Sequence, residues 1–125
     1  MEFDEFIREV KRKGVLDNRD EVIKAIRVTL QTLKERLVGD EPRHIASQLP
    51  RQIGEMLQED GKGEKFTVEE FFSRVSRREG TEIPVAMLHS RAVLEVIKDA
   101  ITAGEMQDVR AQLPVEFYDL FEEEK

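Results

Sequence analysis

Polar residues recur in pairs along this chain of 125 residues, and these residue types could serve a binding site. Four pairs lie 64 positions apart: Arg27 with Arg91, Lys34 with Lys98, Glu41 with Glu105, and Gln48 with Gln112. An arginine and a glutamate in each copy could line two equivalent ligand pockets. The structural alternative, which we favour, places the arginine stem along the core with its guanidinium on a carboxylate or helix end. Arg91 is then expected to pair with the following short helices, and each glutamine to satisfy backbone groups at a nearby corner.

Basic residues form a second set, at two helix ends that occupy equivalent places in the two halves. The set comprises Lys11, Arg12, Lys13, Arg74, Arg77 and Arg78. A two-lobed basic surface of this kind could contact the phosphates of a nucleic acid. The net charge of −7 argues against a polyanionic partner, and the helix dipole alone favours cations at these ends. Nucleic-acid association is therefore the alternative and not the favoured function.

Catalytic and metal sites have no distinct signature in the sequence. The 27 acidic residues form carboxylate pairs throughout, so an enzyme with a carboxylate site stays an alternative. The chain has no cysteine, glycine-rich phosphate loop or nucleophile elbow. His44 with Asp40 and Glu41 offers one helical ligand set, but without the HExxH pattern of zinc enzymes. The sequence predicts a non-enzymatic protein with no metal and no cofactor.

The elements that position these residues are helices, and the same series of helices occurs twice. Apolar residues recur at spacings of three and four, in a short segment and then a long one, in each copy. Two short helices complete each copy on either side of the tripeptide Gln-Leu-Pro, at 48–50 and 112–114. Proline forbids a continuous helix at this point. Each tripeptide is therefore predicted to be a corner, with Leu49 or Leu113 turned inward.

The repeated pattern predicts an all-α fold of two tandem four-helix repeats in a single domain, 1–125. The first repeat spans 2–58, a polar, flexible linker spans 59–65, and the second repeat spans 66–122. A unit of about 60 residues is marginal alone, so the repeats are expected to pack about a pseudo-twofold axis into one globular unit. No apolar run is long enough to cross a membrane, and the acidic N-terminus does not resemble a signal peptide. A cytoplasmic protein is expected.

Several motifs are similar to those of one protein family. They are the phenylalanine-led first helix (Phe3-Asp4-Glu5-Phe6-Ile7 and Glu69-Glu70-Phe71-Phe72), the run Arg91-Ala92-Val93-Leu94, and Gly104-Glu105 followed by Val109-Arg110-Ala111-Gln112-Leu113-Pro114. Through these residues the chain resembles the bacterial domain-of-unknown-function family 2267 over nearly its whole length. Pro42 and His44 break the Gly-Glu-x-x-x-Val run in the first copy. The resemblance implies a small all-helical tandem-repeat protein of prokaryotes with no established activity and no catalytic residues to carry over.

By elimination, the sequence favours a protein-interaction or regulatory module. Its partner would be an unknown protein, with no membrane involved, and the chain itself is expected to be a monomer or a weak homo-oligomer. The binding surface is expected in a groove between the repeats or along an exposed helix face. Such a surface requires an exposed apolar patch or a groove.

Overall fold

Helices make up most of the fold in the computed structural model, which describes residues 1–122. The α-helices are α1 (Phe3–Gly14), α2 (Arg19–Arg36), α3 (Glu41–Ala46), α4 (Arg51–Gly54), α5 (Val68–Glu79), α6 (Ile83–Ala100) and α7 (Ala103–Ala111). Two 3-10 helices, Glu55–Leu57 and Val115–Phe121, complete the two halves. The predicted all-α class is confirmed. The last three residues of the predicted domain, 123–125, lie outside the described residues.

The long helices of the two halves match in length. α2 and α6 each have 18 residues, and α1 and α5 each have 12. Thr67 caps the start of α5, because its hydroxyl accepts a hydrogen bond from the amide of Glu70 at 3.1 Å. These matches support the two-copy pattern, while packing about a pseudo-twofold axis stays a prediction.

A short antiparallel ribbon, which the sequence pattern did not predict, follows α2. Strand β1 (Val38–Gly39) pairs with strand β2 (Gly61–Lys62), with Gly39 opposite Gly61. A Cβ atom on Gly61 would lie 2.2 Å from the carbonyl oxygen of Leu37, so only glycine fits this approach. The segment 59–65, predicted as a flexible linker, is therefore tied by β2 to the end of α2.

The core lies around α6, which contacts α1, α2, α5 and the second 3-10 helix. Phe71 and Phe117 are fully buried and meet edge to face, with ring centroids 6.1 Å apart. Leu49 and Leu113 are 9% and 6% exposed, so both corner leucines turn inward as predicted. The two corners are therefore anchored in the core.

The C-terminal end of α1 places Val15 in a left-handed backbone conformation, with a φ of 52°. After α5 the equivalent place is taken by Gly80, with a φ of 77°. This conformation costs a residue with a Cβ about 1 to 2 kcal/mol, and a β-branched residue is a clear outlier there. Glycine removes that strain, although it adds entropy to the unfolded chain.

Val15→Gly is therefore expected to raise the free energy of unfolding by about 0.5 to 1 kcal/mol. Little packing is lost, because Val15 is 75% exposed. Urea denaturation measures the change, and Gly80→Ala is the matched control, which should lower stability by about 1 kcal/mol. A loss of stability in Val15→Gly would show that the valine contributes more through packing than it costs in strain.

Candidate functional site

The paired glutamines cross the junction between the two halves. Gln48 Oε1 accepts a hydrogen bond from the amide of Thr102 at 2.7 Å. Gln112 Oε1 accepts one from the amide of Val38 at 3.0 Å. Val38 and Thr102 are themselves 64 positions apart, so the two bonds are counterparts of each other. Each glutamine joins the corner of its own half to the chain just beyond the long helix of the other half.

The predicted role of the glutamines at their own corners is therefore wrong. The corner amides are satisfied by nearby carbonyls: Leu49 N donates to Ala46 O, and Leu113 N donates to Arg110 O, both at 3.1 Å. The side-chain oxygens of the glutamines are left to serve amides that are distant in sequence. The tripeptide thus does two things, since leucine anchors the corner and glutamine links the halves.

The paired glutamates meet at the same junction. Glu41 lies in the first turn of α3 and Glu105 in the first turn of α7, and they are only 4% and 9% exposed. Glu41 Oε1 and Glu105 Oε2 are enclosed with no hydrogen-bond partner among residues 1–122. Burial and the neighbouring Glu105 raise the pKa of Glu41 from its ordinary value of 4.5 to about 8. At neutral pH Glu41 therefore retains its proton in the folded chain.

His44 lies one helical turn from Glu41 and borders the glutamate pair. Its Nδ1 atom is 3.7 Å from Glu41 Oε2, and its Nε2 atom is 3.4 Å from Asp40 Oδ2. Glu41, His44 and Glu105 each offer one possible ligand atom, and these three atoms lie within 4.8 Å of one another. The structure thus gathers the two glutamates into one cluster, where sequence reasoning considered two separate pockets.

The paired arginines lie on the faces of the long helices. Arg91 Nη1 donates to the carbonyl oxygen of Asp119 at 3.4 Å, and its guanidinium lies 5.9 Å from the ring centroid of Phe72. Asp119 belongs to the second 3-10 helix, so the expected kind of partner for Arg91 is found. Arg27 is exposed and borders a surface depression together with Lys34.

The second basic cluster is neutralised by carboxylates. Arg74 Nη1 and Arg78 Nη2 lie 3.0 and 2.8 Å from the oxygens of Glu35. Arg74 Nε lies 2.9 Å from Glu70, which Arg77 also approaches at 3.5 Å. Burial alone would raise the pKa of Glu35, but hydrogen bonds from Arg78 and Arg74 outweigh it and lower that pKa. A phosphate would have to displace these carboxylates.

The first basic cluster is also paired. Arg12 Nη2 lies 3.0 Å from Glu9, and Lys13 Nζ lies 3.2 Å from Glu95 on α6. Lys11 is exposed. Because cations of both clusters already hold carboxylates, the geometry adds no support to the nucleic-acid alternative.

His89 is buried against a carboxylate. Its Nδ1 atom lies 2.9 Å from both oxygens of Glu79, which also accepts a hydrogen bond from the Thr81 hydroxyl at 2.8 Å. His89 and Glu79 border a cavity of about 270 Å³ that Leu16 and Lys24 also line. His89 and Thr81 thus both contact the carboxylate of Glu79 near the start of α6.

An apolar face at the start of α6 is exposed, and sequence reasoning did not select it. Ile83, Val85 and Leu88 are 47%, 41% and 43% exposed, and Pro84 is exposed beside them. Met87 is half-buried. Most of the exposed residues among 1–122 are charged, so this apolar face stands out on their surface.

A groove follows this face along α6. Its first part is lined by Pro84, Met87, Leu88 and Arg91. Its second part, of about 320 Å³, is lined by Arg12, Lys13, Leu88, Arg91, Ala92, Glu95 and Glu122. The two parts share Leu88 and Arg91, so an apolar end leads directly into a charged end. We call the whole depression the α6 groove.

A family model described as Uncharacterized conserved protein (DUF2267) matches residues 3–120. No curated protein matches the chain. Within residues 1–122, no helix combines the length and the hydropathy needed to cross a lipid bilayer.

Proposed function

Because this chain belongs to the DUF2267 family, whose description gives no activity, we propose a function from the structure: it is a protein-interaction module that binds an amphipathic helix of a partner protein. The binding surface is the α6 groove. The observation that carries the proposal is the exposed apolar face formed by the first two turns of α6.

The two halves of the chain differ at this face. Four exposed apolar residues, Ile83, Pro84, Val85 and Leu88, take the places that Arg19, Asp20, Glu21 and Lys24 hold 64 positions earlier. The first half shows that the start of a long helix tolerates charges at these positions. The apolar residues of α6 are therefore not required by the helix itself. Clustered apolar residues on a charged surface are typical of a contact that buries them.

The spacing and length of the apolar stretch suit one helix. Pro84, Leu88, Arg91 and Glu95 follow one another at spacings of four and three, so they share one face of α6. The apolar stretch from 83 to 88 rises about 9 Å along α6, and a partner helix would contact it over a little under two turns. Helices that bind in grooves present apolar residues at the same spacings of three and four.

Two features define the chemistry of the partner helix. Its apolar residues pack on Leu88 and its neighbours, and its polar residues follow, facing the mixed charges of Arg91 and Glu95 at the charged end. A second copy of this chain is a poorer occupant, because a stable dimer buries about 20 to 30 residues on each side. The exposed face offers only a few.

Leu88→Glu is expected to abolish binding of the partner, because a carboxylate would be buried in an apolar contact. Lys24→Glu, at the equivalent position of α2, is the matched control and should bind like the wild type. Both substitutions lie on the surface, so stability should change by less than about 0.5 kcal/mol. Quantitative mass spectrometry of proteins captured by the three variants in parallel measures the difference.

The captured protein must then supply the helix. A synthetic peptide that covers its amphipathic segment is expected to bind the wild type at least about tenfold more tightly than Leu88→Glu. Equal binding of the peptide by Leu88→Glu and by the wild type would overturn the proposal.

A further inference from the structure

We infer that Glu41, His44 and Glu105 form a binding site for a divalent transition-metal cation, separate from the α6 groove. The three residues come from both halves of the chain and meet at the junction that the glutamines join. The inference rests on the positions and burial of their side chains.

Two buried oxygens of the glutamates are suited to bind a cation. Glu41 Oε1 and Glu105 Oε2 are buried, and no amide, hydroxyl or basic side chain among residues 1–122 donates a hydrogen bond to either oxygen. The two carboxyl groups face each other, so a proton or a cation has to lie between them. A buried carboxylate oxygen normally has a donor or a cation as its partner. Within the described residues, the ion pairs include no lysine or arginine that reaches either glutamate, and the imidazole of His44 lies beside Glu41.

The dimensions of the cluster suit a metal ion. One oxygen of each glutamate and one ring nitrogen of His44 lie within 4.8 Å of one another. In a tetrahedral site with bonds of about 2.1 Å the ligand atoms lie about 3.4 Å apart, so side-chain rotations that bring the three atoms closer by about 1 Å would complete the site. Asp40 lies 3.4 Å from His44 Nε2 and adds negative charge at the exposed edge.

The donor set selects among cations. Two carboxylate oxygens and an imidazole nitrogen suit Zn²⁺ and similar transition metals, whereas Mg²⁺ and Ca²⁺ prefer oxygen ligands alone. The side chain of His44 is 54% exposed, whereas that of Glu41 is 6% exposed, so His44 lies on the side from which a cation can enter the site. A bound cation would connect the first half, through Glu41 and His44, to the second half, through Glu105.

Isothermal titration of the chelator-treated protein with Zn²⁺ alone tests the inference. We expect one saturable site per chain, with weaker binding of Mg²⁺ and Ca²⁺. Loss of outer-shell partners weakens metal sites by about 10- to 100-fold, so His44→Ala, Glu41→Gln and Glu105→Gln should each weaken Zn²⁺ binding by at least that much. Glu55→Gln, an exposed carboxylate that is not one of the three ligands, is the control and should bind normally.

A second readout separates binding from folding. Zn²⁺ should raise the melting temperature of the wild type and of Glu55→Gln, and should not raise that of Glu105→Gln. Circular dichroism shows that each variant is folded before titration. Absence of a saturable site in the wild type, or unchanged Zn²⁺ binding in both glutamate variants, would overturn the inference.

Discussion

Glu41→Gln is expected to stabilise the protein at pH 8 by about 2 to 3 kcal/mol and to leave its stability nearly unchanged at pH 4. The glutamine keeps the shape of the protonated glutamate and never ionises. Glu41 has a pKa of about 8 in the folded protein, against an ordinary value of 4.5, because it is buried and faces Glu105. The folded chain therefore holds a proton that the unfolded chain has released.

The sign of the pH dependence follows from these two pKa values. Below pH 4.5 both states are protonated at Glu41 and the group costs nothing. Between pH 4.5 and 8 the unfolded state ionises first, so the stability of the wild type falls as pH rises. The full difference between the two pKa values of Glu41 corresponds to about 5 kcal/mol of folding free energy. Solvent near the exposed His44 screens the charge, which reduces the expected effect to about half.

Urea denaturation from pH 4 to pH 9, in the presence of a chelator, measures this difference. The chelator keeps any metal from neutralising the carboxylates. Glu69→Gln replaces an exposed carboxylate and serves as the control, for which no pH-dependent gain is expected. A difference between Glu41→Gln and the wild type that stays constant across the pH range would show that Glu41 does not hold its proton in the folded state.

Leu113→Ala is expected to lower the free energy of unfolding by about 2 to 5 kcal/mol. Leu113 is 6% exposed and anchors the corner between α7 and the second 3-10 helix. Removing its side chain leaves a cavity that the fixed backbone of Pro114 cannot close by rotating about φ. Loosening this corner also releases Gln112 from the amide of Val38.

Val115→Ala is the matched control for the corner, because Val115 lies two residues away and is 74% exposed. Its stability should stay within about 0.5 kcal/mol of the wild type. Thermal and urea denaturation of the two variants in parallel provide the comparison. If Leu113→Ala were as stable as Val115→Ala, the leucine would not be an anchor and the tripeptide would again be a candidate recognition motif.

The helical class and the inward corner leucines could be predicted from the sequence because they depend on local rules. Apolar spacing identifies a helix face, and proline stops a helix wherever it occurs. The β1–β2 ribbon escaped prediction because two residues per strand are too few to show alternation. Its pairing depends on how closely Gly61 approaches Leu37, which is a tertiary feature.

The contacts at the junction between the two halves could be predicted only in part. Glu41, Glu105, Gln48 and Gln112 were selected because they recur, and that selection found residues that do meet. Their partners depend on how the halves pack, and a repeat pattern does not specify that packing. The sequence therefore suggested separate pockets and local glutamine bonds, whereas the glutamates share one cluster and the glutamines cross between halves.

The apolar face of α6 can be recognised in the sequence from a difference between the two copies. Comparing the two copies for what they share draws attention to the scaffold. Comparing them for where they differ identifies the start of α6, where apolar residues such as Val85 and Leu88 replace the charged Glu21 and Lys24. In a chain with internal repeats, differences at exposed positions are the better guide to a binding surface.

Site-specific photo-crosslinking in the native host tests most directly whether the α6 groove binds a partner helix. A photoreactive amino acid is placed at position 88 in one variant and at the equivalent position 24 in another. We predict an adduct with one partner protein from position 88 alone, with the crosslinked peptide in an amphipathic helix. The same adducts from both positions, or none from position 88, would contradict the proposed function.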